Sequence, residues 1–269
     1  MGFLGIAVAV YGIFIALLYF GQRNLLYHPD QTVPRPADYG VGEMEPIRLK
    51  TSDGLELLAW WRPAATAQAP VIAYFHGNAG HIGIRGDKVR AYLDAGYGVL
   101  LLSYRYNAGA GGSPAEDLLF SDAGTALGFL RSEGIPDNRI VLYGESLGSG
   151  IAVAMAVKHA VGAVVLEAPY SSMPDLAQHH YWYAPSRWLV RDRFDSVSRI
   201  AAVTAPLLIV HGEHDTVIPV KYARRLFDAA NEPKVFHLIA GARHNNLLEH
   251  GLPDIVLKFL EKMFPEAEG

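Results

Sequence analysis

The hydrophobic positions of this chain form one long apolar run, followed by short apolar runs that alternate with amphipathic stretches. The short runs are rich in β-branched and aliphatic residues, and they predict strands at residues 45–50, 55–62, 71–75, 98–103, 139–143, 163–167, 206–212 and 234–239. Helical patterns are predicted between most of them, at about residues 84–95, 115–132, 151–159, 220–230 and 254–264. This alternation is typical of an α/β fold with a mostly parallel, doubly wound sheet.

The long apolar run covers residues 3–20, which carry no charge. As a helix it would extend roughly 27 Å, enough for the hydrocarbon core of a bilayer. A cleaved signal peptide is the alternative, but no Lys or Arg precedes the run, and the bulky Tyr19 and Phe20 stand where a cleavage site needs small residues. We therefore expect a retained transmembrane anchor at residues 1–22, a linker at 23–43 and a catalytic domain at 44–269.

The regular alternation stops between residues 170 and 205, where a polar and aromatic stretch separates two predicted strands. We interpret this stretch as a lid inserted into the domain. Its segment 181–190 concentrates aromatic and aliphatic side chains, which predicts contact with the lipid interface or with an acyl chain. The alternative is that these side chains only pack the lid onto the core.

The candidate nucleophile is Ser146, in the sequence Gly-Glu-Ser-Leu-Gly at residues 144–148. A predicted strand precedes this motif and a helical segment follows it, which is the setting of a nucleophile elbow. The turn puts the serine in a cramped backbone conformation, so that Gly144 and Gly148 are needed beside it.

A serine nucleophile requires an acid and a histidine later in the chain. Asp215 follows the predicted strand at 206–212, and His244 follows the strand at 234–239. In a parallel sheet these loops meet at one edge, so the three side chains are expected to come together. Two alternatives remain open: Asp215 could instead cap the helix near Val220, with Glu213 or His214 taking its role, and His214 could replace His244.

The oxyanion hole is predicted from the loop after the strand at 71–75, which reads His-Gly-Asn-Ala-Gly at residues 76–80. We assign its two backbone N–H donors to Asn78 and Leu147. His76 is interpreted as an organiser of this loop and not as a catalytic group.

With these motifs in place, the chain resembles the α/β-hydrolase superfamily of serine hydrolases. It is similar in particular to the branch with one N-terminal membrane anchor, which includes protein depalmitoylases and bacterial membrane hydrolases. The matching segments are residues 24–29, 76–80, 144–148, 191–196, 211–215 and 241–245. The resemblance implies an α/β-hydrolase fold with a lid insertion.

Composition narrows the chemistry. The chain has no cysteine, which excludes disulfides, thiolate metal sites and thiol catalysis. Its net charge of -4 and the absence of a basic cluster give no sign of nucleic-acid binding. No metal and no organic cofactor is implied.

The sequence therefore predicts a serine hydrolase, a carboxylesterase or thioesterase that acts on a small acyl ester or thioester. A membrane-bound, non-catalytic binding or scaffold protein on the same fold is the alternative from another class. A serine aminopeptidase is a further option, which would need acidic groups for the substrate amine. Asp175, Asp192 and Asp195 lie in the lid, but neighbouring arginines explain the last two more simply.

Two further expectations concern the anchor. Arg23, Arg35, Arg48 and Lys50 follow it while no basic side chain precedes it, which favours a cytoplasmic catalytic domain. Small residues recur along one face of the predicted helix, which would let two copies pack as a homodimer. They are Gly5, Ala9, Gly12 and Ala16.

Overall fold

An eight-stranded sheet lies at the centre of residues 2–265, the part of the chain that this computed structural model describes. The strands lie in the order β1-β2-β4-β3-β5-β6-β7-β8; β1 and β2 run antiparallel to their neighbours, and all other pairs are parallel. Their bounds are β1 Glu45–Lys50, β2 Glu56–Arg62, β3 Val71–Phe75, β4 Gly98–Leu102, β5 Ile140–Glu145, β6 Ala163–Glu167, β7 Leu207–Gly212 and β8 Lys234–Ile239. The parallel strands bring their carboxyl ends to one edge of the sheet.

Helices cover both faces of this sheet and bury it. The main ones are α2 Gly86–Asp94, α3 Glu116–Ser132, α4 Leu147–Lys158, α8 Val220–Ala229 and α9 Leu252–Met263. One core cluster lies between the sheet and α3, α4 and α8, and a second lies between the sheet and α2 and α9. All residues of β3, β6 and β7 are buried, as expected for strands with a helical layer on each side. The predicted doubly wound α/β-hydrolase fold is confirmed.

The lid segment, residues 170–205, connects β6 to β7 above the carboxyl edge of the sheet. It contains three short helices, α5 Met173–His180, α6 Ser186–Leu189 and α7 Ser196–Arg199. The first helix, α1 Gly2–Leu26, is long and apolar enough to cross a membrane. It continues four residues beyond the predicted anchor, and this last turn contacts the lid segment.

The sharpest difference from the predicted elements lies around Ser146. Strand β5 extends to Glu145 and α4 begins at Leu147, so a single residue separates strand from helix. The predicted helix at 151–159 begins too late because the helical pattern was counted only from Ile151. Glycines on both sides of the serine allow this abrupt turn.

Candidate active site

Ser146 occupies a strained turn between β5 and α4. Its backbone has φ 50° and ψ -114°, a region that residues other than glycine rarely adopt. Its N–H donates to the carbonyl of Glu167 at 2.9 Å. A Cβ on Gly144 would lie 2.6 Å from the Gly148 carbonyl oxygen, and a Cβ on Gly148 would overlap the carbonyl of Phe75. The two glycines are therefore required for close approach of backbone to backbone.

The structure brings Ser146, His244 and Asp215 into one hydrogen-bonded chain. The Oγ of Ser146 lies 3.1 Å from Nε2 of His244, and Nδ1 of His244 lies 2.7 Å from Oδ2 of Asp215. The three residues follow β5, β8 and β7 respectively. With Nδ1–H donated to the carboxylate, the imidazole presents Nε2 as an acceptor to the serine hydroxyl.

Asp215 has a second contact that fixes its orientation. Its Oδ1 accepts from the backbone N–H groups of Val217 and Ile218, at 2.9 and 2.7 Å. The carboxylate thus organises the turn before α8 and faces His244 at the same time. The two roles considered for Asp215, partner of His244 and cap of the helix near Val220, are therefore compatible. The alternatives His214 and Glu213 are exposed, and Glu213 accepts from the N–H of Gly241 instead.

Asn78 and Leu147, the predicted oxyanion donors, line the same pocket as Ser146. Leu147 is the first residue of α4, so its N–H has no acceptor one turn earlier in its own helix. The side chain of Asn78 donates through Nδ2 to the carbonyl of Leu26 at 2.6 Å, which ties the loop to the end of α1.

A buried charged cluster lies behind the serine, and sequence reasoning missed it. Arg85 donates to both carboxylate oxygens of Glu145 at 3.1 Å, and Lys88 lies 2.6 Å from Glu167 and 3.4 Å from Glu145. Tyr74 also donates to Glu145. Burial alone would raise the pKa of Glu145, but Lys88 and Arg85 hold it well below its usual range. The carboxylate of Glu145 is thereby kept charged, and both carboxylates are bound by basic side chains of this cluster.

The same arginine also holds the loop at residues 76–80. Its Nη1 donates to the carbonyl of Ala79 at 2.9 Å. The only signal in the sequence was the placement of charged residues at the predicted start of α2, which does not distinguish a buried group from an exposed one.

His76 is buried in this loop and does not reach Ser146. Its Nδ1 lies 2.6 Å from the Gly77 carbonyl, and its ring stacks on Tyr104, whose hydroxyl donates to the His76 carbonyl. Burial, together with the nearby Arg85 guanidinium, lowers the pKa of His76 to about 3. The ring is neutral near pH 7 and serves to organise the loop.

Ser146 and His244 line a pocket of about 700 Å³, within the range of small-molecule sites. Its walls come from the loop at 76–80, the lid segment and the last turns of α1. The contribution of α1 was not predicted, because a membrane anchor is read from the sequence as a separate element.

The lid aspartates that an aminopeptidase could use are all engaged elsewhere. Asp192 receives two hydrogen bonds from Arg23 of α1, and not from its neighbours in sequence. Asp175 binds Arg225 at 2.8 Å, and Asp195 accepts from the N–H of Ser198 at the start of α7. Within residues 2–265, no group of three or more His, Asp or Glu side chains is placed to hold a metal ion.

Comparison with known proteins shows which proteins this chain resembles. Residues 189–251 match the family described as serine aminopeptidase, S33. An uncharacterised protein of Mycobacterium tuberculosis is 34% identical over 234 residues, which cover 86% of this chain and 83% of that protein. The lysophosphatidylserine lipase ABHD12 of Danio rerio is 29% identical over 284 residues, covering 87% of this chain and 74% of the lipase.

Among solved structures, the esterase Pf2001 of Pyrococcus furiosus has a similar fold. Its TM-score is 0.71 at 17% sequence identity, and the alignment covers 88% of this chain and 97% of the esterase. At this identity the likeness concerns the fold alone.

Proposed function

Because this chain belongs to the α/β-hydrolase superfamily and is a hydrolase, we propose that it cleaves carboxylic esters or thioesters through an acyl-enzyme on Ser146. The observation that carries this proposal is the hydrogen-bonded chain from Ser146 through His244 to Asp215, of which Ser146 and His244 line a pocket.

In the first half of the reaction, Ser146 Oγ attacks the substrate carbonyl while His244 Nε2 takes its proton. Asp215 orients the imidazole and stabilises the imidazolium that forms. The carbonyl oxygen becomes an oxyanion, which accepts from the N–H groups of Asn78 and Leu147. The bond to the leaving alcohol or thiol then breaks, and His244 returns the proton to that leaving group.

In the second half, a water molecule attacks the acyl-enzyme and His244 takes a proton from it. The second tetrahedral intermediate collapses to release the carboxylic acid, and the proton returns to Ser146 Oγ. The enzyme ends in its starting state, and no external cofactor takes part.

Ester or thioester cleavage is favoured over aminopeptidase activity by the lid carboxylates. An aminopeptidase needs a carboxylate free to bind the substrate amine, but Asp175 and Asp192 are both held by arginines. Glu145 lines the pocket, yet Arg85, Lys88 and Tyr74 already occupy it. A non-catalytic scaffold would not require the strained backbone at Ser146, which costs stability.

The proposal is tested by labelling the full chain in detergent with a fluorophosphonate probe. We expect labelling of the wild type and of Ser113→Ala, an exposed serine outside the pocket, but not of Ser146→Ala. Hydrolysis of p-nitrophenyl esters, acyl-CoA and an aminoacyl amide is then compared. Absence of labelling in the folded wild type would favour the scaffold, and preference for the amide would favour the aminopeptidase.

We further propose that α1 spans the membrane with the catalytic domain on the cytoplasmic side, since Arg23 lies in its last turn and Arg35 follows it. Protease treatment of sealed inside-out and right-side-out vesicles tests this orientation. Digestion of the domain only in right-side-out vesicles would contradict the cytoplasmic orientation.

A homodimer through α1 is also part of the proposal. Gly5 and Gly12 have open space around them, and at 100° per residue they lie about 100 to 120° around the helix from Tyr11, which contacts the lid segment. We expect Gly5→Leu with Gly12→Leu to shift the solubilised protein toward monomer, whereas Ile13→Leu does not. A monomeric wild type would exclude the dimer.

A further inference from the structure

We infer that α1 is a wall of the substrate site as well as an anchor, and that its C-terminal half binds a long acyl chain that enters from the lipid. This inference rests on the proposed function, because the acyl chain it describes is the one attached to the carbonyl at Ser146. It assigns a binding role to residues of α1 and makes them determinants of chain length.

The first support is the composition of the pocket beyond Ser146. Leu18, Leu25 and Leu26 of α1 line it. Apolar side chains of the lid segment and of the turn before α8 line it too, among them Met173, Leu176, Leu189 and Ile218. We call this apolar part of the pocket the acyl arm. Because Ser146 and His244 line the same pocket, the acyl arm fits the chain of an ester whose carbonyl lies at the serine.

The second support is that α1 is fixed to the lid by specific contacts. Arg23 forms a bidentate ion pair with Asp192, with N–O distances of 2.8 and 2.9 Å. The side chain of Gln22 donates to the carbonyl of Leu189 and accepts from the N–H of Arg191. These contacts hold the apolar face of α1 in a defined position against the lid, as a binding wall requires.

The third support is the length of α1 over which it contacts the lid. The hydroxyl of Tyr11 donates to the carbonyl of Tyr183, and the ring of Phe14 lies 6.0 Å from the ring of Tyr183. The contacts from Tyr11 to Arg23 cover about 18 Å of helix axis. Since Tyr11 and Phe14 belong to the uncharged run at 3–20, the lid lies beside the apolar part of the helix.

The lid also exposes aromatic rings at this level. Trp182 is 75% exposed and Trp188 is 79% exposed, so neither packs onto the sheet. Tryptophan side chains are favoured at the membrane interface. With α1 in a bilayer, the lid would lie in the interfacial region of that bilayer. A substrate could then enter the pocket between α1 and the lid from the lipid without passing through water.

The test compares chain-length preference in variants of neighbouring residues on α1. Leu18 lines the pocket, whereas Leu17 is 68% exposed and does not line it. Hydrolysis of p-nitrophenyl butyrate and dodecanoate is measured for the full chain in mixed micelles of fixed composition. For the wild type we expect kcat/KM to be at least about tenfold higher for dodecanoate, because each buried methylene contributes to binding.

In Leu18→Trp the indole fills the acyl arm, and we expect the dodecanoate-to-butyrate ratio of kcat/KM to fall about tenfold or more. Leu25→Trp should act in the same direction, and Leu17→Trp should keep the wild-type ratio. Active sites are counted in each variant by labelling with an ethyl fluorophosphonate, so that a misfolded variant is recognised.

The outcomes separate the inference from the function on which it rests. No hydrolysis of either ester and no labelling would remove the serine hydrolase proposal itself. An active wild type that prefers butyrate, or equal ratios in Leu17→Trp and Leu18→Trp, would leave the hydrolase in place and overturn the acyl site on α1. A fall in the ratio in the Leu18 and Leu25 variants alone supports it.

Discussion

The side chain of Asn78 donates a hydrogen bond to the backbone carbonyl of Leu26, with Nδ2 and O 2.6 Å apart. Leu26 is the last residue of α1, and Asn78 belongs to the loop that carries a proposed oxyanion donor. The end of α1 is therefore bonded directly to the loop of the proposed oxyanion donor. This contact makes the position of α1 part of the geometry of the candidate site.

We expect Asn78→Ala to lower kcat by about 10- to 100-fold, although the backbone N–H of residue 78 is retained. Without the bond to Leu26 the loop is held less firmly, and small displacements of a catalytic donor are costly. Steady-state kinetics on p-nitrophenyl butyrate measure the effect, with the exposed Asn138→Ala as control. Unchanged kcat in Asn78→Ala would show that the contact does not position the loop.

Substitutions along the hydrogen-bonded chain should abolish ester hydrolysis without unfolding the protein. Ser146→Ala removes the proposed nucleophile, and His244→Ala removes the base that takes its proton. Asp215→Asn should lower kcat by roughly 10⁴-fold because it favours the wrong imidazole tautomer. Kinetics and thermal unfolding are measured together. Activity retained in Asp215→Asn but lost in Glu213→Gln would assign the acid to Glu213.

The charged cluster behind Ser146 should stabilise the fold as a unit. Arg85→Met removes the partner of a buried carboxylate, and breaking such a pair by removing one member costs about 3 to 5 kcal/mol. Because Arg85→Met with Glu145→Gln removes both charges of the pair, we expect it to lose less than the sum of the single variants. Urea unfolding of the wild type, the two single variants and the double variant measures the coupling, and strictly additive losses would contradict it.

The buried His76 predicts a loss of stability in mild acid. Its pKa is lowered to about 3 in the folded protein, whereas an unfolded histidine has a pKa near 6.5. Between about pH 6.5 and 3 the unfolded state binds the extra proton, so the free energy of unfolding falls by about 1.4 kcal/mol for each pH unit that this histidine controls. Stability from this group is therefore complete above pH 6.5 and lost as the pH falls.

The control is His76→Phe, which keeps an aromatic ring beside Tyr104 and cannot titrate. Urea unfolding at pH 7, 6 and 5 should give a smaller pH slope for the variant than for the wild type. Part of the slope remains, because burial also lowers the pKa of His211. Equal slopes in the two proteins would contradict the assignment to His76.

Tryptophan fluorescence should locate the lid at the lipid surface. Of the four tryptophans, Trp60 and Trp61 are buried in the domain, and Trp182 and Trp188 are exposed on the lid. We expect brominated phospholipids in reconstituted vesicles to quench the lid residues. Trp182→Phe with Trp188→Phe should remove most of the quenching, and Trp61→Phe should leave it. Quenching that survives the double variant would place the lid away from the lipid.

Local patterns in the sequence determined the strands, most helices and the order in which the candidate residues follow them. Strands β1, β3, β6 and β8 have the predicted bounds, because a short apolar run with turn residues on both sides is a local signal. The expected meeting of Ser146, Asp215 and His244 also follows from a local fact, since each stands after a parallel strand and such strands end at one edge of the sheet.

The tertiary structure alone decided which charged groups are buried and which surfaces meet. Arg85, Lys88, Glu145 and Glu167 look like ordinary surface residues in the sequence, and only their convergence behind the elbow makes them a buried cluster. Likewise, the apolar pattern of α1 indicates a membrane span but not a pocket wall. That role depends on Arg23 meeting Asp192 across 169 positions of sequence, a pairing that no local pattern encodes.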